Sequence, residues 1–416
     1  MVYKKNRDKN ITYAIDKKSM KDQALKGIKI IELAQLAAGP LCAMMLADMG
    51  AEVIKIEIPD RGDSLRYWGT PYVGKDSVYF LSLNRNKKSV TLNLKKQMGK
   101  EVLFKMLRNA DVIIENFRPG TMERLDLGYE KVMSINPRII YCRISGYGQK
   151  GPYREYGGYD LIAQGESGLM MVTGEENGPP TKIGVAVVDY GAGMNAAYGV
   201  VVALLNREKT GKGQMIDVAL FDTAVHWMTF YQIGSYLAMG KPHKRLRTGH
   251  PLSTPYDAYK TSDIYITIGC SSNKHWKKIC EVIDRKNLID DPLFETNLKR
   301  VENRMKLSNI LSKVFVKRKG DEWLQLFRKA GIPCGPVNTI DKVVSNAQVL
   351  HREMLVEIEH PVAGKIKVPG IPLKLSETPG SIRLPPPILG QHTEEVLKKM
   401  GYSITDIKEL KKGNVI

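Results

Sequence analysis

The chain has 416 residues, 43% hydrophobic and 26% charged, a length and balance that exclude a disordered or fibrous polymer and allow two or three domains. Its formal net charge is +19, but the Lys and Arg residues are spread along the chain rather than clustered with aromatics. That distribution disfavours nucleic-acid binding and leaves anionic small-molecule substrates as the partner the charge suits.

The first 24 residues are polar and mixed in charge. They lack the apolar core of a signal peptide, and their acidic residues argue against a transit peptide. Order is expected from about Leu25. Residues 27–33 read as a strand and 34–39 as a loop. Pro40 suits a helix first turn, and Gly50 suits its stop. A strand over 52–58 completes a βαβ unit, which implies parallel pairing. The pattern continues with strands at 89–94, 111–115 and 138–144 and helices at 98–109 and 125–135. A short strand at 185–188 leads directly to Asp189. A helix over 192–206, a Gly-rich turn and a strand over 215–220 follow. The apolar run 196–205 is too short to span a bilayer, so no membrane association is expected.

Beyond 224 the texture changes. Residues 238–256 are irregular. A strand is expected at 265–269, with helices at 274–283, 300–316 and 322–330. A Pro-rich tail then leads to a last helix at 393–400. These readings give an α/β chain with a Rossmann-like open parallel sheet. Its predicted parts are a polar extension (1–24), a large domain (25–224), a small α+β domain (225–335) and a return to the large domain (336–416). In such sheets ligands bind outside the carboxyl ends of the strands. The five cysteines are odd in number and far apart, which suits reduced thiols in a cytoplasmic setting and gives no zinc or redox pair.

The first loop imitates a dinucleotide site, but Ala37-Ala-Gly-Pro40 is not G-x-G-x-x-G, so NAD is disfavoured. Glu57 then reads as a solvated strand end. Asp189 stands between an apolar run and a helix. By position it suits an N-cap, and a carboxylate there is expected to be stabilised in its ionised form. An ionised, accessible carboxylate is also what nucleophilic catalysis by Asp requires, and Gly191 and Gly193 leave room for a large substrate.

Ala38-Gly-Pro40, Gly50-Ala-Glu-Val-Ile-Lys-Ile-Glu57, Asn84-Arg-Asn-Lys-Lys-Ser89, Glu115-Asn-Phe-Arg-Pro-Gly120, Gly146-Tyr-Gly148, Gly158-Tyr-Asp160 and Leu389-Gly-Gln-His-Thr393 occur in this order. Together they resemble the family III CoA-transferases over about residues 25–413. The resemblance implies Asp189 as the nucleophile. It implies coenzyme A contacts at Leu36, Ala37, Ala38, Leu92, Lys95, Asn116, Phe117 and Arg124, and a loop beside the reacting thioester at Gly157, Gly158, Tyr159 and Asp160. It also implies an interlocked homodimer, acyl-CoA as substrate rather than a resident cofactor, and no metal. Many members carry Arg where Ile58 stands, so a contact from that position is lost here.

The resemblance further implies transfer of CoA from an acyl-CoA, with succinyl-CoA the expected donor, to a small dicarboxylate. Ala37 in place of a Gln, and no glycine run near 247–256, point away from formate and oxalate. Arg66, Arg245, Arg247 and His250 are candidates for a second carboxylate. Two alternatives stand beside this reading. An α-methylacyl-CoA racemase uses a His where Tyr159 stands, and tyrosine titrates too high to replace it easily. A non-catalytic CoA- or nucleic-acid-binding protein is the alternative from another class.

Overall fold

A computed structural model describes residues 23–416, so nearly all of the polar extension read from 1–24 lies outside the described residues. By its contacts the chain divides into two compact units. The described part of the first is residues 23–160, 186–223 and 351–416; the second is 161–185 and 224–350.

The first unit is built on strands β1 (Lys29–Glu32), β2 (Glu52–Glu57), β3 (Lys87–Thr91), β4 (Val112–Glu115), β5 (Ile140–Ser145) and β6 (Gln214–Ala219). They form one parallel six-stranded sheet in the order β3-β2-β1-β4-β5-β6. The central strands β1, β4 and β5 carry apolar runs because both their faces are covered: Ile30, Ile31, Val112, Ile113, Ile114, Ile140 and Tyr141 are all buried. Helices α1 (Ala38–Asp48), α2 (Gln97–Leu107), α3 (Tyr129–Ile135) and α4 (Val187–Thr210) supply the connections. Leu103 and Leu107 of α2 and Val132 of α3 close one face over Ile113 and Tyr141. Each such side chain contributes about 1.5–3 kcal/mol on burial. The strand order reverses between β1 and β4, so the crevice that binds ligands in such folds opens at the carboxyl ends of those two strands.

Beyond shifts of a few residues at element ends, three departures from the sequence expectation change the elements themselves. The run 185–188 is not a strand: Val185 is 63% exposed, and α4 starts at Val187. Val188, Ala192 and Ala196 recur at helical spacing and are fully buried, whereas four apolar residues alone suit strand and helix equally. The helix expected at 125–135 is two pieces, Thr121–Arg124 and Tyr129–Ile135, separated where Asp126 turns left-handed (φ 59°). The helix expected at 300–316 is broken at Asn303 into Asn297–Glu302 and Arg304–Phe315.

The second unit has its own core. A three-stranded antiparallel sheet joins β7 (Tyr256–Lys260), β8 (Tyr265–Gly269) and β9 (Cys334–Pro336), with β8 central. Trp276, Phe315, Trp323 and Phe327 pack in one cluster with Ile266 and Ile268 of β8. The tail returns to the first unit as a hairpin, β10 (Leu355–His360) and β11 (Gly364–Pro369), and two helices, Thr393–Lys399 and Ile404–Lys412. Among the described residues, α4 alone is long and apolar enough to cross a membrane; half of its most apolar stretch is buried, and it packs on α1, β5 and β6.

Candidate active site

The loop between β1 and α1 lies at the switch point and is held from three sides. Across the crevice, Asn116 at the end of β4 clasps Gln35: its Oδ1 accepts from the Gln35 N–H (2.8 Å), and its Nδ2 donates to the Gln35 carbonyl (2.7 Å). From beneath, Lys55 Nζ donates to the Ala34 carbonyl (2.7 Å) and Lys87 Nζ to the Pro40 carbonyl (2.9 Å). Beside it, Asp63 Oδ1 accepts from the Leu36 N–H (3.1 Å), fixing Leu36 in the left-handed region (φ 65°). A leucine held there is strained, a feature that clusters at ligand clamps.

These clamping side chains are themselves one buried ionic cluster. Lys55 pairs with Glu32 and Asp63, and Lys87 pairs with the other oxygen of Glu32, each at 2.9 Å and fully buried. The balanced charges make burial tolerable, and removing any one leaves an uncompensated ion. Burial lowers Lys87 to about 8, against the attraction of Glu32. Lys55, facing Asp63, Glu32 and Glu57, is held above its usual range despite burial.

Asp189 occupies the first turn of α4. Gly193, one turn on along the same face, lies against the start of α1: a Cβ there would come within 2.6 Å of the Ala38 carbonyl oxygen. Glycine thus lets α4 pack against the start of α1 at Ala38, with Asp189 one turn earlier on the same helix face. The N-cap position, Ala186, offers no side-chain acceptor. Asp160 supplies one instead, its Oδ2 accepting from the N–H groups of Val188 (2.7 Å) and Asp189 (3.3 Å). Asp160 opens a short helix, Asp160–Glu166, just after a loop whose Gly158 backbone presses on Gly146, where a Cβ on Gly158 would meet Gly146 Cα at 2.3 Å.

This arrangement corrects the expected charge state. Asp189 was expected to be stabilised as an anion by the helix N-terminus, yet it is raised to about 7, first by burial and then by the charge of Asp160. Two N–H groups of the first turn are already committed to Asp160. Asp189 itself remains partly exposed.

The other expected positions divide by environment. Ala37 is the N-cap residue of α1, and Ala38 is buried in its first turn. Leu92 is only 2% exposed and belongs to the core, and its N–H donates to the Glu57 carbonyl (2.8 Å). Phe117 packs on the same core, and its N–H donates to Glu115 Oε2 (2.8 Å). Lys95 is exposed; Arg124 is exposed and donates to Thr121 Oγ1 (2.9 Å). Gly157 lies against the Arg118 guanidinium, and Tyr159 is 58% exposed. A cavity of about 550 Å³ opens at the ends of β2 and β3, lined by Pro59, Asp60, Thr91, Gly390 and Lys411, next in sequence to Leu92.

Two readings of single residues are overturned. Glu57 is not a solvated strand end: it is 3% exposed and takes a two-pronged pair from Arg66, both contacts 2.7 Å. Arg66 is therefore no candidate for a substrate carboxylate, since it is 1% exposed and also bound to Asp76 and the Pro387 carbonyl. In the second unit His250 Nε2 hydrogen-bonds the Tyr231 hydroxyl (2.8 Å), Arg247 lies 3.9 Å from Glu175, and Arg245 is half-buried. No group of three potential metal ligands occurs among the described residues.

Comparison with known proteins places this geometry in context. The model of CoA-transferase family III matches residues 25–393. Succinyl-CoA:glutarate CoA-transferase of Homo sapiens is 42% identical over 393 residues, covering 94% of this chain and 90% of that protein. Acetyl-CoA:oxalate CoA-transferase of Acetobacter aceti is 39% identical, covering 86% and 92%. The crystal structure of a CAIB/BAIF family protein from Brucella suis superposes with a TM-score of 0.82 at 36% identity, covering 91% of this chain and all of that one.

Proposed function

Because the chain belongs to CoA-transferase family III, we propose that it moves coenzyme A from succinyl-CoA to a small dicarboxylic acid, with Asp189 as the attacking carboxylate. The observation that carries the reading is Asp189 itself: a partly exposed carboxylate raised to about 7, one helical turn before the Gly193 contact with the Ala38 carbonyl. A carboxylate of ordinary acidity is a feeble nucleophile. Partial desolvation raises the basicity of Asp189 while leaving a substantial ionised fraction at neutral pH.

The steps balance without an added reagent. Asp189 attacks the thioester carbonyl, the C–S bond breaks, and a mixed anhydride and CoA thiolate result. The thiolate attacks the aspartyl carbonyl, and the donor acid leaves as its carboxylate. Asp189 now carries CoA as a thioester. The acceptor carboxylate displaces the thiolate, forming a second anhydride. The thiolate then attacks the acceptor's acyl carbon and releases Asp189. Each addition passes through an oxyanion, for which a preorganised N–H donor is worth about 3–4 kcal/mol. Water must be excluded, because the anhydrides hydrolyse.

Leu36, Ala37 and Ala38, with Asn116 and Phe117, would line the pantetheine and thioester end. Lys95 and Arg124 would meet the phosphates, a role that suits their exposed cationic heads. A homodimer is part of the same proposal. Tyr190, Met194, Tyr198 and Leu205 recur on one face of α4 and are 45%, 55%, 73% and 63% exposed, an apolar stripe that a second copy would cover. The acceptor class follows the names of the relatives, glutarate and oxalate both being dicarboxylates.

The test is to incubate the protein with succinyl-CoA and a panel of acids (glutarate, malate, citramalate, mesaconate, carnitine, oxalate) and to follow new CoA esters by mass. A dicarboxylyl-CoA formed by wild type and absent with Asp189→Ala is the expected result. Esters formed equally by both proteins would overturn the assignment of Asp189. Absence of any ester with succinyl-CoA, while acetyl-CoA supports transfer, would overturn the donor.

A further inference from the structure

We propose that Asp160 is a positioning residue for the nucleophile, fixing the first turn of α4 and setting the basicity of the carboxylate that the turn presents; this rests on Asp189 being that nucleophile. The geometry that carries it is the cap. Helix starts leave N–H groups unpaired, and a neighbouring side chain in the N-cap position usually takes them. Here Ala186 cannot, and Asp160 reaches across from a segment 26 residues earlier to bind the N–H groups of Val188 and Asp189. The nucleophile's own N–H is thus one of the two held groups.

Two consequences follow from where the anion sits. The first is mechanical. Gly146, at the end of β5, packs on Gly158, and Asp160 follows two residues on. Strand end, loop and helix start therefore form a continuous chain of contacts, and Asp189 inherits its position from β5 through Asp160. The second is electrostatic. The helix start would ordinarily favour an anionic Asp189, by its dipole and its free donors. Asp160 takes up those donors and adds a like charge, so the same contact that locates Asp189 makes it more basic. Among the described residues, Asp160 is the one charged group that acts on Asp189 besides burial, and it raises it. The neighbouring Tyr190 is a phenol whose own titration is pushed up by burial, so it is neutral in the range concerned.

The experiment compares wild type, Asp160→Asn and Asp160→Ala in the CoA-ester assay from pH 5 to 9, with Asp189→Ala as the control. Asn keeps an oxygen to cap the turn and removes the charge; Ala removes both. In Asp160→Asn the acid limb of kcat/KM is expected to move to lower pH by about one unit, a change in ionised fraction of about ninefold at pH 5 and about fivefold at pH 6. The plateau is expected to fall several-fold as the nucleophile becomes less basic, with KM for the CoA ester within about twofold. Asp160→Ala is expected to show the same shift and a further fall in kcat of about tenfold or more, because the turn is no longer held. A merely structural cap would lower activity in Ala and leave the limb of Asn in place. That result, with Asp189→Ala inactive, would overturn the proposal and leave the nucleophile standing. Activity retained in Asp189→Ala would instead remove the reading beneath it. If Asp160→Ala fails to fold, Asp160→Asn alone decides.

Discussion

Asp189 combines two demands that conflict, because a carboxylate basic enough to attack a thioester is costly to keep ionised in a partly buried site. Two outcomes follow. Only the anion attacks, so kcat/KM should rise tenfold per pH unit below about 7 and level off above it, the limb lying where burial and Asp160 put the group. A profile flat from pH 5.5 to 8.5 would contradict this. The second outcome concerns stability. The unfolded carboxyl titrates near 3.9 and the folded one near 7, so the folded state binds the extra proton between these values and loses stability as pH rises through them. Asp189→Asn removes that penalty. The variant should therefore be more stable than wild type at pH 8, by about 1–3 kcal/mol after allowance for solvent at the site, with the gain shrinking toward pH 4. Thermal melts at pH 4, 6 and 8 measure it. At this scale the motifs single out Asp189, Asp160 and Asn116, but not the bonds of Asp160 to the first turn of α4 or of Asn116 to Gln35, which depend on the fold. Lys55, Lys87 and Asp63 were not legible, since their pairing is made across strands whose register the sequence does not state.

The elements place these residues through close backbone contact. Gly193 allows α4 to touch the Ala38 carbonyl; Gly193→Ala would drive a methyl to within 2.6 Å of it and push the first turn of α4 outward. The expected result is a cost of about 1–3 kcal/mol and a drop in kcat larger than the change in KM, read by denaturant melts and steady-state kinetics. Lys55→Met would leave Glu32 and Asp63 short of their cation and release the Ala34 carbonyl, for an expected loss of about 3–5 kcal/mol. Most strands and helices of the sheet unit were legible from apolar runs and Gly or Pro stops. The run 185–188 was misread because a four-residue apolar segment has no period of its own. Among the elements missed, a helix and a hairpin had their signals present. Ser403-x-x-Asp406 forms a capping box at the start of Ile404–Lys412. In the hairpin, Glu357 and Glu359 alternate with apolar residues and pair across to Lys367 and Lys365.

For the whole molecule, the sheet order β3-β2-β1-β4-β5-β6 fixes where chemistry is concentrated, and no sequence period encodes that order; it follows from right-handed crossovers and from which strands become neighbours. The exposed stripe on α4 carries the expectation of a second copy. Tyr198→Arg combined with Leu205→Arg should weaken or abolish the dimer by placing two cations in an apolar seam, seen as a monomer in sedimentation at micromolar protein. A wild-type chain that sediments as a folded, active monomer at nanomolar concentration would contradict the dimer. During turnover Asp189 is expected to become covalently loaded with coenzyme A. The most direct measurement is to quench the protein with acid after mixing with succinyl-CoA, digest it, and weigh the peptide containing residue 189. The predicted result is that peptide carrying CoA in thioester linkage, absent from Asp189→Asn and discharged on adding the acceptor acid. Full turnover to a new CoA ester with no adduct on that peptide, or an adduct that survives in Asp189→Asn, would contradict it.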